Sequence, residues 1–225
     1  MFVPLLDGID IQGKDLTGDA LLAQRGLATY VVGREAHYHF TVKGNQPTLQ
    51  ADIELLFQER NAVPDYVSVS PPDHGRIETR RIWCSTALNT YIDFPHIGQV
   101  FQIEREVFHK KSGKRTVESV VGVTSRPPEQ ANAQRILEIN RGHWTIENRC
   151  HYVIDWNFDE DRCRIKKGYG PENVTRLRRF AVGILQCAPN KKMSVAEKMR
   201  RLNRNVRRVF DYLRMTKNVT TVGGR

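Results

Sequence analysis

The stretch Leu16-Thr17-Gly18-Asp19-Ala20-Leu21-Leu22-Ala23-Gln24 decides how the first part of this 225-residue chain is read. Ile9 to Asp19 reads as a strand entering a turn. Ala20 to Val32 then reads as a helix in spite of Gly26, with Leu21, Leu22, Ala23, Leu27 and Val31 as its apolar positions. Next, His37-Tyr38-His39-Phe40-Thr41-Val42-Lys43 alternates polar and apolar in the manner of a strand with one buried face, and Gly44-Asn45-Gln46-Pro47 ends it. Leu49, Ile53, Leu56 and Phe57 carry helical spacing through Thr48 to Arg60. Strand, helix, strand, helix in that order predicts an α/β layer.

Further along, short β-like runs cover Tyr66 to Ser70, Ile77 to Thr86, Val100 to His109 and Arg115 to Thr124, the last two joined as a hairpin by Lys110-Lys111-Ser112-Gly113-Lys114. After Pro127-Pro128 a helical pattern runs to about Tyr152. A linker rich in charge and glycine follows, then basic helices over Glu172 to Cys187 and Val195 to Met215. Four parts are expected: a core segment over 1–61, a β-rich insertion over 62–127, a helix and linker over 128–170, and basic helices over 171–225.

Charge is unevenly placed. From Asp161 onward 18 Lys and Arg face 4 Asp and Glu, whereas the preceding residues hold 17 basic and 21 acidic side chains. A basic tail of this kind suits a polyanion, and nucleic acid is the commonest one in a cytoplasm; a solvated helix face is the alternative. No apolar run approaches the roughly 20 residues of a membrane span, and Met1 to Asp7 lacks the basic start of a secretory signal, so a cytoplasmic location with no membrane partner is expected. Cys84, Cys150, Cys163 and Cys187 form no CxxC pair and are expected as free, buried thiols.

The residues densest in chemistry run from Arg141 to Asp161. On a helix, His143, Glu147, His151 and Asp155 follow an i, i+4 ladder, which is either a solvated stripe or one chemically loaded face. Asp19 also has two readings. An acid ending a strand in an α/β layer stands where such sheets place their ligands, yet it is equally suited to cap the helix that follows.

Taken in order, Thr17-Gly18-Asp19-Ala20-Leu21 with Gln24, then Val42 to Leu49, then His74-Gly75-Arg76-Ile77-Glu78-Thr79-Arg80, and finally His143 to Asp161 resemble bacterial insertion-sequence transposases of the H-repeat-associated type. The resemblance covers Leu5 to about Ala188. It implies a DDE recombinase with a ribonuclease-H-like core, an α/β (α+β) mixed sheet with flanking helices interrupted by a β-rich insertion. In that family Asp, Asp and Glu hold two divalent ions, Mg²⁺ or Mn²⁺, for cutting and joining double-stranded DNA at transposon ends and target.

By resemblance Asp19 is the second acid and Glu147 the third, both catalytic and metal-holding. Related transposases place Tyr, Arg and Lys seven before, four before and seven after the glutamate; here Asn140, His143 and Ile154 stand there. DNA contacts are therefore expected from Lys43, Arg141, His143, Trp144, Asn148 and Arg149. The first acid and the N-terminal strands that carry it have no counterpart in this sequence, and Asp7 and Asp10 precede Asp19 by too little to replace it. The chain thus reads as a truncated, catalytically incomplete transposase, with a non-catalytic DNA-binding remnant or inhibitor of transposition as the alternative. Pairing of two ends makes a homodimer the expected assembly.

Overall fold

In the computed structural model, residues 3–58, 63–72, 75–146, 151–188 and 193–215 are described. They form two compact units, Met1–His143 and Trp144–Arg225.

The first unit is a mixed sheet with helices on both faces. Its elements are α1 (Val3–Asp7), β1 (Asp15–Gly18), a 3₁₀ turn (Ala20–Leu22), α2 (Arg25–Gly33), β2 (His37–Val42), α3 (Pro47–Gln58), β3 (Tyr66–Val69), β4 (Arg76–Ser85), β5 (Gln99–His109), β6 (Arg115–Thr124) and α4 (Ala133–His143). Strand order is β1-β2-β6-β5-β4-β3, with β1 and β2 parallel and every other pair antiparallel. This is the α/β class expected from the sequence, and it is consistent with a ribonuclease-H-like sheet. The strands of 62–127 continue the same sheet, because β6 pairs with β2 from Val42↔Val121 to His39↔Thr124.

Period-two patterning explains the two cores. Tyr38, Phe40, Val42, Val100, Val121 and Val123 face α2 and α3, where they meet Val31, Leu49 and Ile53. Ile82, Phe101 and Ile103 face α4 and meet Ile136 and Leu137. β2 is therefore covered on both faces rather than one: His39 is as buried as its neighbours Tyr38 and Phe40. The helix expected over Ala20 to Val32 is split, because the chain makes a 3₁₀ turn after Asp19 and starts α2 only at Arg25.

The second unit holds a π-helical turn (Val153–Asn157), α5 (Gly170–Cys187), α6 (Val195–Arg204) and α7 (Arg207–Tyr212). Val153, Ile154 and Val182 form its small core with Phe158 and Val195. The helical turn there is wider than an α-helix, and Glu147, the middle of the expected i, i+4 ladder, lies outside the described residues. The helix expected over Val195 to Met215 is interrupted at Asn205. Against the buried thiols expected, Cys84 and Cys163 are half-buried and Cys187 is exposed, while Cys150 lies outside the described residues.

Candidate functional site

Parallel pairing from Asp15↔His37 to Gly18↔Phe40 brings the carboxyl ends of β1 and β2 to one end of the sheet, with Asp19 following the first strand and Lys43 the second. Open α/β sheets bind their ligands at such ends. Asp19 has extended backbone angles (φ −72°, ψ −179°), and its carbonyl accepts from the Leu22 amide at 3.0 Å. Its carboxylate makes no capping hydrogen bond and is exposed. Of the two readings left open by the sequence, the side-chain cap is the one the geometry lacks.

The segment after β2 holds this turn in place from across the sheet end. Asn45 Nδ2 donates to the Ala20 carbonyl, and Gln46 Nε2 donates to the Ala23 carbonyl at 3.1 Å. A Cβ on Gly18 would lie 2.8 Å from Leu22 Cβ and 3.0 Å from Phe40 Cδ1, so only glycine lets the turn fold this closely over the strand. The Thr17-Gly18-Asp19 and Gly44-Asn45-Gln46 stretches are thus two halves of one construction.

Helix α4 is tied to β1 near both of its ends. Near its start Arg135 Nη2 donates to Asp15 Oδ2 at 3.1 Å, while Arg126 Nε donates to the other carboxylate oxygen. At its last residue His143 Nδ1 lies 3.0 Å from Thr17 Oγ1, a hydrogen bond whose direction follows the imidazole tautomer. His143 is half-buried, whereas Arg141 and Trp144 are exposed. Glu147, Asn148 and Arg149 lie outside the described residues, as does His74.

Beneath this tie sits His39, cross-strand from Thr17. It stacks on Phe101 with ring centroids 4.6 Å apart and planes 11° apart, in space that Gly122 leaves open by lacking a side chain. Neither ring nitrogen has a partner among the described residues. Burial pushes its pKa down to about 3; Asp15 works in the opposite direction and His143 in the same one. The imidazole is therefore neutral. Sequence reasoning did not single it out, although the alternation His37, His39, Thr41 marks a polar face on an otherwise apolar strand.

Farther along the same face, Glu78 accepts from Arg105 at 2.7 Å and pairs with Arg80 at 2.5 Å. Burial, only partly offset by Glu78, holds the Arg80 guanidinium below its usual pKa, and Arg141 adds to that depression. Among the described residues no group of three or more His, Cys, Asp or Glu could hold a metal ion, and no helix is long and apolar enough to cross a membrane.

A family model of the transposase DDE domain matches residues 1–177. The chain belongs to the DDE transposase family. Among curated relatives, the H repeat-associated putative transposase YhhI of Escherichia coli (strain K12) is 28% identical over 210 residues, covering 88% of this chain and 54% of that protein. The putative protein YbfL of the same strain is 29% identical over the same length, with the same coverage of each chain. The H repeat-associated putative transposase YbfD, also of that strain, is 34% identical over 93 residues, 40% of this chain and 37% of its own. This DDE transposase chain spans about half the length of the first two relatives. DDE transposases work with divalent metal ions, and Asp19 offers a hard, exposed oxygen donor of the kind Mg²⁺ takes.

Proposed function

We propose that this chain acts on double-stranded DNA as part of an insertion-sequence transposase, with Asp19 and Glu147 as two of the three catalytic carboxylates. The observation that carries the reading is the exposed, uncapped carboxylate of Asp19 at the carboxyl end of the parallel pair, in a chain of the DDE transposase family. Asp19 and Glu147 would hold divalent ions, Mg²⁺ or Mn²⁺. When bound, such ions stabilise charge on both the attacking and the leaving oxygen of a phosphodiester. The part played by the chain itself is positioning: Gly18, Asn45 and Gln46 fix the turn that presents Asp19. The tie between Thr17 and His143 fixes the last residue of α4, four residues before Glu147. Lys43, Arg141, His143, Trp144, Asn148 and Arg149 are proposed to contact DNA, in a bacterial cytoplasm and with a homodimer pairing two ends.

One observation favours a second reading, a DNA-binding chain that does not cut. The other acids near β1 are engaged or displaced: Asp15 is held by Arg126 and Arg135, Asp7 accepts from Tyr30 Oη at 2.6 Å, and Asp10 Oδ1 accepts from the Gln12 amide at 3.2 Å. These contacts support a reading in which none of the three serves as a third site carboxylate. A plasmid bearing the element's ends, incubated with Mg²⁺ or Mn²⁺, separates the two readings. Cutting that is lost in Asp19→Asn and Glu147→Gln while DNA binding remains supports the catalytic reading. Binding without cutting in all three proteins supports the second, and absence of DNA binding at low salt overturns both.

A further inference from the structure

Helix α6 in the second unit has two unlike sides. With 3.6 residues per turn, Glu197, Arg200, Arg201 and Arg204 fall within one arc of its surface, whereas Val195, Met199 and Leu202 fall on another along with Lys198. Ser194 starts the helix, its Oγ accepting from the Glu197 amide at 3.2 Å. Lys198 is buried, and its Nζ donates at 2.6 Å to the carbonyl of Leu185, in the last turn of α5. A lysine spent on a helix C-terminus in this way fixes how α6 is rotated against α5.

That rotation turns the arginines outward. Met193, Glu197, Arg200, Arg201 and Arg204 line an open depression of about 330 Å³. Among the described residues none of the three arginines is in an ion pair, and Arg201 Nη1 has only the weak acceptor Met193 Sδ at 3.4 Å. Like charges three and four residues apart on a helix repel one another and destabilise it. Three guanidinium groups converging on one space with a single carboxylate beside them suit an anion brought from outside. The planar guanidinium fork matches phosphate oxygens in pairs.

We propose that Arg200, Arg201 and Arg204 form a phosphate-gripping site for a nucleic-acid backbone, made of residues other than those around Asp19. The choice of DNA as the ligand rests on the transposase reading; the site itself rests on α6. A lipid surface fits less well, since on the apolar side of α6 Val195 packs against the core of its own unit and Lys198 is buried against α5.

The test measures binding of the full chain to a short mixed-sequence duplex by fluorescence anisotropy across a range of salt. Replacement of all three arginines (R200Q, R201Q, R204Q) is expected to lower the slope of log K against log salt by about 2.7, with a loss on the order of a hundredfold in affinity at 0.1 M salt. Each single replacement should lower the slope by about 0.9, which keeps the test decisive if the triple variant loses its circular dichroism signature. Glu197→Gln is expected to tighten binding. Equal slopes in wild type and variants, with DNA binding intact, overturn the site and leave the transposase reading standing. No binding by the wild type even at low salt overturns the reading and the site with it. Loss of binding to phosphatidylserine vesicles in the variants, with DNA binding unchanged, overturns the site in favour of a lipid surface.

Discussion

His143 Nδ1 and Thr17 Oγ1 are 3.0 Å apart, and through them the last turn of α4 is held to the strand that ends just before Asp19. The two residues are 126 positions apart in the sequence, yet each lies a few residues before an acid proposed for the site. Thr17 precedes Asp19 by two residues and His143 precedes Glu147 by four. Removing the pair from one side, by Thr17→Val or His143→Leu, is expected to cost about 1 kcal/mol in urea unfolding, the net value of one hydrogen bond. Thr17→Ser, which keeps the hydroxyl, should unfold at the wild-type midpoint.

Asp19 itself should behave unlike a helix cap. A capping aspartate changed to alanine costs about 1 kcal/mol. Because the Asp19 side chain makes no capping bond and is exposed, Asp19→Ala is expected to stay within about 0.5 kcal/mol of wild type. A loss of divalent-ion binding with unchanged thermal stability would mark the carboxylate as a site group; the opposite pattern would mark it as a cap.

Gly18→Ala is expected to do more damage than its size suggests. The added methyl group meets Leu22 and Phe40 at 2.8 and 3.0 Å, and over-packing of this kind costs about 1–3 kcal/mol. Chemical shifts of Ala20 and Asn45 should move with it, since Asn45 donates to the Ala20 carbonyl. Unchanged shifts and stability would show that the turn does not need the close approach.

His39 gives the fold a definite acid sensitivity. Its pKa in the folded chain is about 3, against an ordinary value of 6.5. The unfolded chain therefore takes up a proton near pH 6.5 that the folded chain refuses. Stability attributable to the neutral ring is whole above that pH and falls by about 1.4 kcal/mol per unit as the pH drops towards 3. His39→Leu, which removes the titrating group and both unpartnered nitrogens, should flatten this limb: between pH 7 and 5 the variant is expected to keep about 2 kcal/mol that the wild type loses. Parallel stability curves for the two proteins would remove His39 as the cause.

How far the fold could be read from the sequence depended on where each element's determinants lie. β6 begins and ends where its alternation does, at Arg115 and Thr124, and β5 differs by one residue, because turn and strand signals there are local. The helix expected from Ala20 failed for a long-range reason. Asn45 and Gln46 take the carbonyls of Ala20 and Ala23, and those donors are more than twenty residues away. His39 was hidden in the same way, since its burial depends on Phe101 and on the absence of a side chain at Gly122. Around the site, the Gly44-Asn45-Gln46 stretch was visible as a resemblance, but its work as a pair of side-chain donors became plain only in three dimensions.

The place of β1 in the strand order has a consequence for motion. Hydrogen-bonded to β2 alone and four residues long, it is, like β3 at the opposite border, a strand with few backbone bonds to lose, so its amides are set to exchange early by opening of the sheet border. What opposes that opening is side-chain work from α4, through Asp15 with Arg135 and Thr17 with His143. Exchange at Leu16 and Gly18 is thus a gauge of whether α4 is seated, and any ligand that draws α4 down onto the strand will announce itself there as slowed exchange before a single bond is cut.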